Sequence, residues 1–210
     1  MAYTQAVTQL GSFVVVVVAF LLGAIPTGIL LTRRAGVDIR TVGSGNSGAT
    51  NIQRNLGWRL GLAAGLLDLA KGALSVIIAR DLHAPEGVVA LCLFAVTLGN
   101  TFNPFLRLKG GKGVATGFGA LLALDPLAAL PCFVFGVVTV TLTRYVSAGS
   151  LIGVLAALTA ILLLRRPWPE ALAMLLVTLL IWWQHRQNIA RLQAGTESRF
   201  GEKKPVRVLN

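Results

Sequence analysis

Seven apolar runs follow one another through the chain, at 11–31, 57–79, 88–106, 113–124, 127–143, 148–164 and 169–184, separated only by short polar connections. About 20 apolar residues span the bilayer core as a helix, and this many runs in succession leave a soluble domain too little polar surface to cover them. Hydrophobic residues are 55% of the chain, charged residues 13%, and mean hydropathy is +0.73. The fold class that follows is all-α, a polytopic membrane helix bundle of about seven transmembrane helices, several of them short. A single integral-membrane domain covers 1–210, with polar segments at 33–56, 107–116 and 185–210.

The N-terminus has no Lys or Arg before Arg33, and the run 11–31 outlasts a signal-peptide core, so it reads as a retained first helix. The run 113–124 would rise only about 18 Å as a helix, less than the hydrocarbon thickness, which admits a re-entrant segment as well as a crossing. Charge separates the two. If 113–124 crosses, the inner loops hold Arg33, Arg34, Arg40, Arg54, Arg59, Arg107, Lys109, Lys112, Arg144 and the basic tail, and the outer loops keep only Arg80, Arg165 and Arg166. If it is re-entrant, Arg144 and the tail move outside. The positive-inside rule selects seven crossings, N-out and C-in, with all three polar segments cytoplasmic.

The net charge of +11 therefore sits in short loops at one face. That suits anionic headgroups and anionic substrates, and the aromatic interleaving of a nucleic-acid surface is missing, so no nucleic-acid partner is expected. Cys92 and Cys132 both fall inside apolar runs and read as small buried hydrophobes. With no zinc spacing or disulfide framework, neither a metal nor a cofactor is expected.

The polar segments carry the chemistry. GSGNSGATN, from Gly43 to Asn51, combines Gly43, Gly45, Ser44, Asn46, Thr50 and Asn51, small residues that let backbone N–H groups converge on an anion, and Arg54 follows with a planar cation. KGGKGVAT, from Lys109 to Thr116, is not a Walker A loop, because Gly113 rather than a hydroxyl residue follows Lys112. What remains is Lys109, Lys112 and the glycines Gly110, Gly111 and Gly113 ahead of a helix, whose free N–H groups and dipole favour an anion. His185 and Asn188, spaced i, i+3 beyond the last apolar run, share one helix face beside Arg186 and Arg191. Asp68 and Lys71, also i, i+3 but inside an apolar run, are read as mutually neutralising structural support.

Those three segments, in this order and spacing, closely resemble the bacterial acyl-phosphate-dependent glycerol-3-phosphate acyltransferase family. DLAKG at Asp68 to Gly72 and RYVS at Arg144 to Ser147 extend the resemblance over nearly the whole chain. It implies an inner-membrane enzyme that moves a fatty acyl group from long-chain acyl phosphate, not acyl-CoA, to the 1-hydroxyl of glycerol 3-phosphate, giving lysophosphatidic acid and phosphate. It implies further that Ser44, Arg54, Lys112, His185 and Asn188 hold glycerol 3-phosphate, with Lys112, His185 and Ser44 catalytic. Backbone of the Gly43 and Gly110 loops would cradle the acyl phosphate, with Asn46, Thr50, Asn51, Gly45, Lys109, Gly111, Gly113 and Thr116 completing the binding set. One position departs from the family: Gly99 is followed by Asn100 where a Gly-His pair is usual, and asparagine hydrogen-bonds without titrating.

Acyl phosphate already carries a good leaving group and no loop holds a cysteine, so direct attack by the glycerol hydroxyl is expected, with its proton going to His185 or to the donor's phosphate. The competing class is a transporter or binding protein for phosphorylated metabolites. It would call for polar spans and repeat symmetry, neither of which the sequence displays.

Overall fold

The computed structural model describes residues 2–202, with side chains from Gln9 onward; Met1 and positions 203–210 of the last polar segment lie outside them. No strand occurs among the described residues. The run 11–31 is divided by Pro26, whose missing N–H and fixed φ interrupt the ladder, into α1 (Ala2–Ala24) and α2 (Thr27–Arg34). Two short amphipathic helices, α3 (Ala49–Leu56) and α10 (Arg186–Gln193), lie outside the apolar runs. The other runs become α4 (Trp58–Asp81), α5 (Glu86–Thr101), α6 (Val114–Leu124), α7 (Pro126–Thr143), α8 (Val146–Leu163) and α9 (Trp168–Gln184). Gln9–Arg34, α4, α5 with its following turn, α7 and α8 are long and apolar enough to cross a membrane, while α6 and α9 are shorter apolar helices.

Small residues bring these helices together, as expected where lipid removes the usual hydrophobic drive. A Cβ on Gly72 of α4 would strike the Thr116 carbonyl of α6, and one on Gly119 of α6 would strike the Leu69 carbonyl of α4. Each Cβ leans toward the N-terminus of its helix. Reciprocal contacts three residues back on each partner therefore set Gly72 level with Gly119 and run α4 and α6 in the same direction. Gly23 and Gly99 pair α1 with α5 by the same rule, whereas Gly149 and Gly136 join α7 and α8 antiparallel.

This register accounts for the short α6. Val114 is level with Leu67, so α6 begins about 13 Å below the start of α4 at 1.5 Å per residue, and the Lys109–Gly113 loop descends to meet it. At the opposite end Arg80, from the last turn of α4, donates to the Ala123 and Leu124 carbonyls at 2.7 and 2.7 Å. Asp125 then caps α7 through Leu127 N at 3.0 Å and pairs with Arg166 at 2.7 Å. The helix 114–124 thus runs from the sunken loop to the far end of the bundle.

Candidate active site

The sunken loop forms one wall of a cavity of about 790 Å³ at the basic end of the bundle. Two helix N-termini open onto it, those of α3 and α6, and neither has a side-chain cap among the described residues. Unpaired first-turn N–H groups with their dipoles aimed into one hollow make a strong site for an anion. Ala49 and Thr50 of α3 and Val114 and Ala115 of α6 are the first-turn residues that line it.

The first polar segment is shaped by its own side chains. Gly43 and Gly45 take φ of 63° and 69°, a region that suits residues without a Cβ. Asn51 fastens the loop: its amide donates to the Val42 and Asn46 carbonyls at 3.0 and 2.9 Å, and its oxygen accepts from Ser44 N at 3.1 Å. Asn46 accepts from Gly48 N at 2.8 Å. These two asparagines line the cavity with their oxygens already engaged by the loop, whereas the Ser44 hydroxyl, which also lines it, has no partner among the described residues. Gly43 and Gly45 lie behind the lining and supply curvature.

The glycine-lysine loop is anchored by its first half and open in its second. Gly110 and Gly111 donate to the last carbonyls of α5, at Thr101 and Asn100, each at 3.0 Å. Their N–H groups are therefore spent, and the donors left for a ligand are those of Lys112, Gly113 and Val114. Lys109 is exposed on the outer side, and Thr116 is buried against α4, so neither lines the cavity, nor does Gly110. Gly111, Lys112 and Gly113 do.

Lys112 donates to Asn188 Oδ1. Asn188 donates in turn to Glu197 Oε1 at 2.6 Å, which also accepts from Ser147 Oγ at 2.8 Å, while Glu197 Oε2 pairs with Arg191 at 2.7 Å. Burial alone would raise the Glu197 carboxyl, but the bonds from Asn188, Arg191 and Ser147 bring it below its ordinary value. Its charge organises the cavity wall from behind. Burial, with the Arg191 and Arg54 charges adding to it against Glu197, lowers the Lys112 ammonium to about 8. Arg54, half-buried, donates from one terminal nitrogen to the Ser198 carbonyl at 3.0 Å, and its Nε is buried with no partner among the described residues. An orphaned charged donor at a cavity wall is a place for an anion oxygen.

His185 sits where α9 ends, a position fixed by the stack of Phe102 on Trp183 at 5.6 Å. Its Nδ1 lies 2.8 Å from the Ile181 carbonyl, which can only accept, so Nδ1 carries the proton and Nε2 is left as an acceptor. Burial first, and then the Lys112 charge, lower its pKa to about 4, and the imidazole is neutral near pH 7. Ser147 and Glu197 were not singled out as site residues by the sequence. The pairing could not be read there, because 50 residues separate Ser147 from Glu197.

Below the polar rim the cavity turns apolar between α6, α7 and α8. Phe118 and Phe133, with centroids 6.2 Å apart, line this part with Val137 and Met174. Only 11% of α7 is buried, and its outward face is apolar, with Leu130, Phe135 and Leu142 exposed. The fold and the cavity together define an integral membrane protein with an anion-accepting hollow that continues into an apolar groove.

Residues 13–195 match the family described as glycerol-3-phosphate acyltransferase. A glycerol-3-phosphate acyltransferase of Thermus thermophilus is 48% identical over 90% of this chain and 95% of its own. Glycerol-3-phosphate acyltransferase 1 of Deinococcus radiodurans is 48% identical over 92% of this chain and 98% of its own. The crystal structure of PlsY, an integral membrane glycerol 3-phosphate acyltransferase, in its glycerol 3-phosphate form, superposes with a TM-score of 0.87 at 36% identity over 91% of this chain and 96% of that one. The chain belongs to the glycerol-3-phosphate acyltransferase family and is a membrane acyltransferase.

Proposed function

We propose that the protein transfers a long-chain acyl group from acyl phosphate to the 1-hydroxyl of glycerol 3-phosphate at the cytoplasmic face of a bacterial inner membrane, giving lysophosphatidic acid and phosphate. The observation that carries this reading is the joining of the two halves of the cavity. Cationic groups and free helix N-termini converge at its polar end, and its apolar end extends along the largely exposed apolar α7. In support of the product, PlsY, 35% identical with a TM-score of 0.85, has a crystal structure in a lysophosphatidic acid form.

In this reading Arg54, Lys112 and the free N–H groups at the starts of α3 and α6 hold the two phosphates, and Asn188 steadies Lys112. The 1-hydroxyl attacks the acyl carbonyl, the new C–O bond forms as the bond to the donor's phosphate oxygen breaks, and phosphate leaves. Lys112 and Arg54 stabilise the charge that develops on the leaving group. His185 accepts the hydroxyl's hydrogen bond at Nε2 and orients it. A base near 4 takes little of a proton at neutral pH, so the proton goes to an oxygen of the donor's own phosphate. Ser44 offers the same ligands its hydroxyl from the facing loop.

Seven crossings, N-out and C-in, are the topology of this reading. In its support, Arg33, Arg54, Lys109, Lys112 and Arg144 belong to the cavity end and Arg80, Arg165 and Arg166 to the other. The test supplies purified protein with labelled glycerol 3-phosphate and either acyl phosphate or acyl-CoA. Labelled lysophosphatidic acid is expected from acyl phosphate alone. Product from acyl-CoA alone would overturn the donor, and product from neither would overturn the reaction.

A further inference from the structure

The floor of the cavity is carried by an ionic cluster inside the bundle. Lys71, 6% exposed, directs its ammonium at acceptors from three elements: Asp68 Oδ1 on α4 at 2.8 Å, the Ile25 carbonyl at the α1–α2 break at 2.9 Å, and Asn100 Oδ1 in the last turn of α5 at 2.9 Å. Thr27 donates to Asp68 Oδ1 at 2.6 Å and Asn103 donates to the Ala24 carbonyl at 2.6 Å, so α2 and the exit of α5 are fixed to the same point. An ammonium has three protons, and here each has one acceptor.

The glycine loop is seated on this cluster. The Asn100 carbonyl accepts from Gly111 N and the Thr101 carbonyl from Gly110 N. A Cβ on Gly110 would strike the Asn100 carbonyl, and one on Gly111 would come within 2.9 Å of the Asn100 amide nitrogen. The loop backbone thus rests against the residue that Lys71 grips, one residue before Lys112. Asp68, Asn100 and Gly111 form one patch of the cavity floor.

We propose that Asp68, Lys71 and Asn100 are positioning residues for acyl transfer, holding the last turn of α5 so that the Gly110–Lys112 backbone presents Lys112 and its free N–H donors at the right depth. An ion pair inside a bundle adds little stability over an apolar pair of similar volume. What it supplies here is one fixed arrangement, in which Asn100 serves through its acceptor oxygen and needs no titration. Misplacement of a reacting cation by about 1 Å lowers turnover on the order of a hundredfold.

The kinetic part of the test rests on the acyl-transfer reading, while amide exchange does not depend on it. Asn100→Leu removes the acceptor while leaving Lys71 its other two partners. The double variant D68L/K71M removes the cluster without leaving a buried charge unpaired. In full-length purified protein, both are expected to lose turnover at saturating substrates by about tenfold or more, to expose the 109–113 amides to faster hydrogen exchange, and to leave exchange in α7 and α8 unchanged. Asn100→His, which restores an acceptor, is expected to recover turnover and protection relative to Asn100→Leu. Wild-type exchange at 109–113 in both Asn100→Leu and the double variant would overturn the proposal, whatever their activity. Faster exchange there with wild-type turnover would overturn it as well. If wild-type protein itself shows no acyl transfer, the reaction fails, and exchange alone still decides whether the cluster holds the loop.

Discussion

Lys112 offers the sharpest quantitative test of the proposed chemistry. With its pKa lowered to about 8, roughly nine in ten free enzyme molecules carry the charge at pH 7 and roughly one in ten at pH 9. The sign is that of a cation lowered by burial: the charged form is present below about 8 and is lost as pH rises through it. A bound phosphate dianion adds attraction for the charged form and raises that pKa. Hence kcat/KM for glycerol 3-phosphate should fall about tenfold per pH unit above 8, whereas the fall in kcat should begin at higher pH. Lys112→Ala removes a charge-assisted donor at a desolvated phosphate and leaves Asn188 Oδ1 without its donor. The expected loss is about 10²–10³-fold in kcat/KM, or about 3 to 4 kcal/mol. Lys112→Arg should recover little, because a planar fork does not replace a point donor beside Asn188. Steady-state kinetics from pH 6 to 10, alongside a check of the folded fraction, measures both effects. Turnover within threefold of wild type in Lys112→Ala, or a pH limb that survives that substitution, would refute the reasoning.

Three further expectations follow from the geometry. With His185 near 4, the wild-type rate should stay flat between pH 6 and 7, and His185→Gln should keep measurable turnover while the KM for glycerol 3-phosphate rises; collapse of kcat at saturation would make His185 the base. Single cysteines at Ser47 and Gln193 should react with an impermeant thiol reagent only from the cytoplasmic side, in a background without Cys92 and Cys132, and outside labelling of Gln193→Cys would break the seven-crossing topology. Gly119→Ala, which drives a Cβ into the Leu69 carbonyl, should destabilise the bundle by about 1–3 kcal/mol, read as a lower midpoint of thermal unfolding, whereas Gly11→Ala, with open space around it, should not.

The sequence by itself determined the class of molecule. Apolar run length is a local property set by bilayer thickness, so the helical membrane fold was legible residue by residue. Several of the cavity-lining residues were legible too, among them Ser44, Arg54, Lys112 and His185, because glycine, hydroxyl and cationic side chains cluster over short distances in the chain. Beyond that, the decisions were tertiary. Gly110 and Gly111 looked like phosphate donors, but their N–H groups go to Thr101 and Asn100, and only the seating of the loop on α5 could show it. Thr116 belongs to the same motif as Lys112 and yet faces α4, because a helix starting at Val114 turns its side chains by 100° per residue. Ser147 and Glu197 meet at 2.8 Å across 50 residues, and Lys71 reaches Asn100 across 29. Long-range pairing depends on how helices cross, and the crossings here are set by glycine contacts such as Gly72 on Thr116, whose partners no local pattern names.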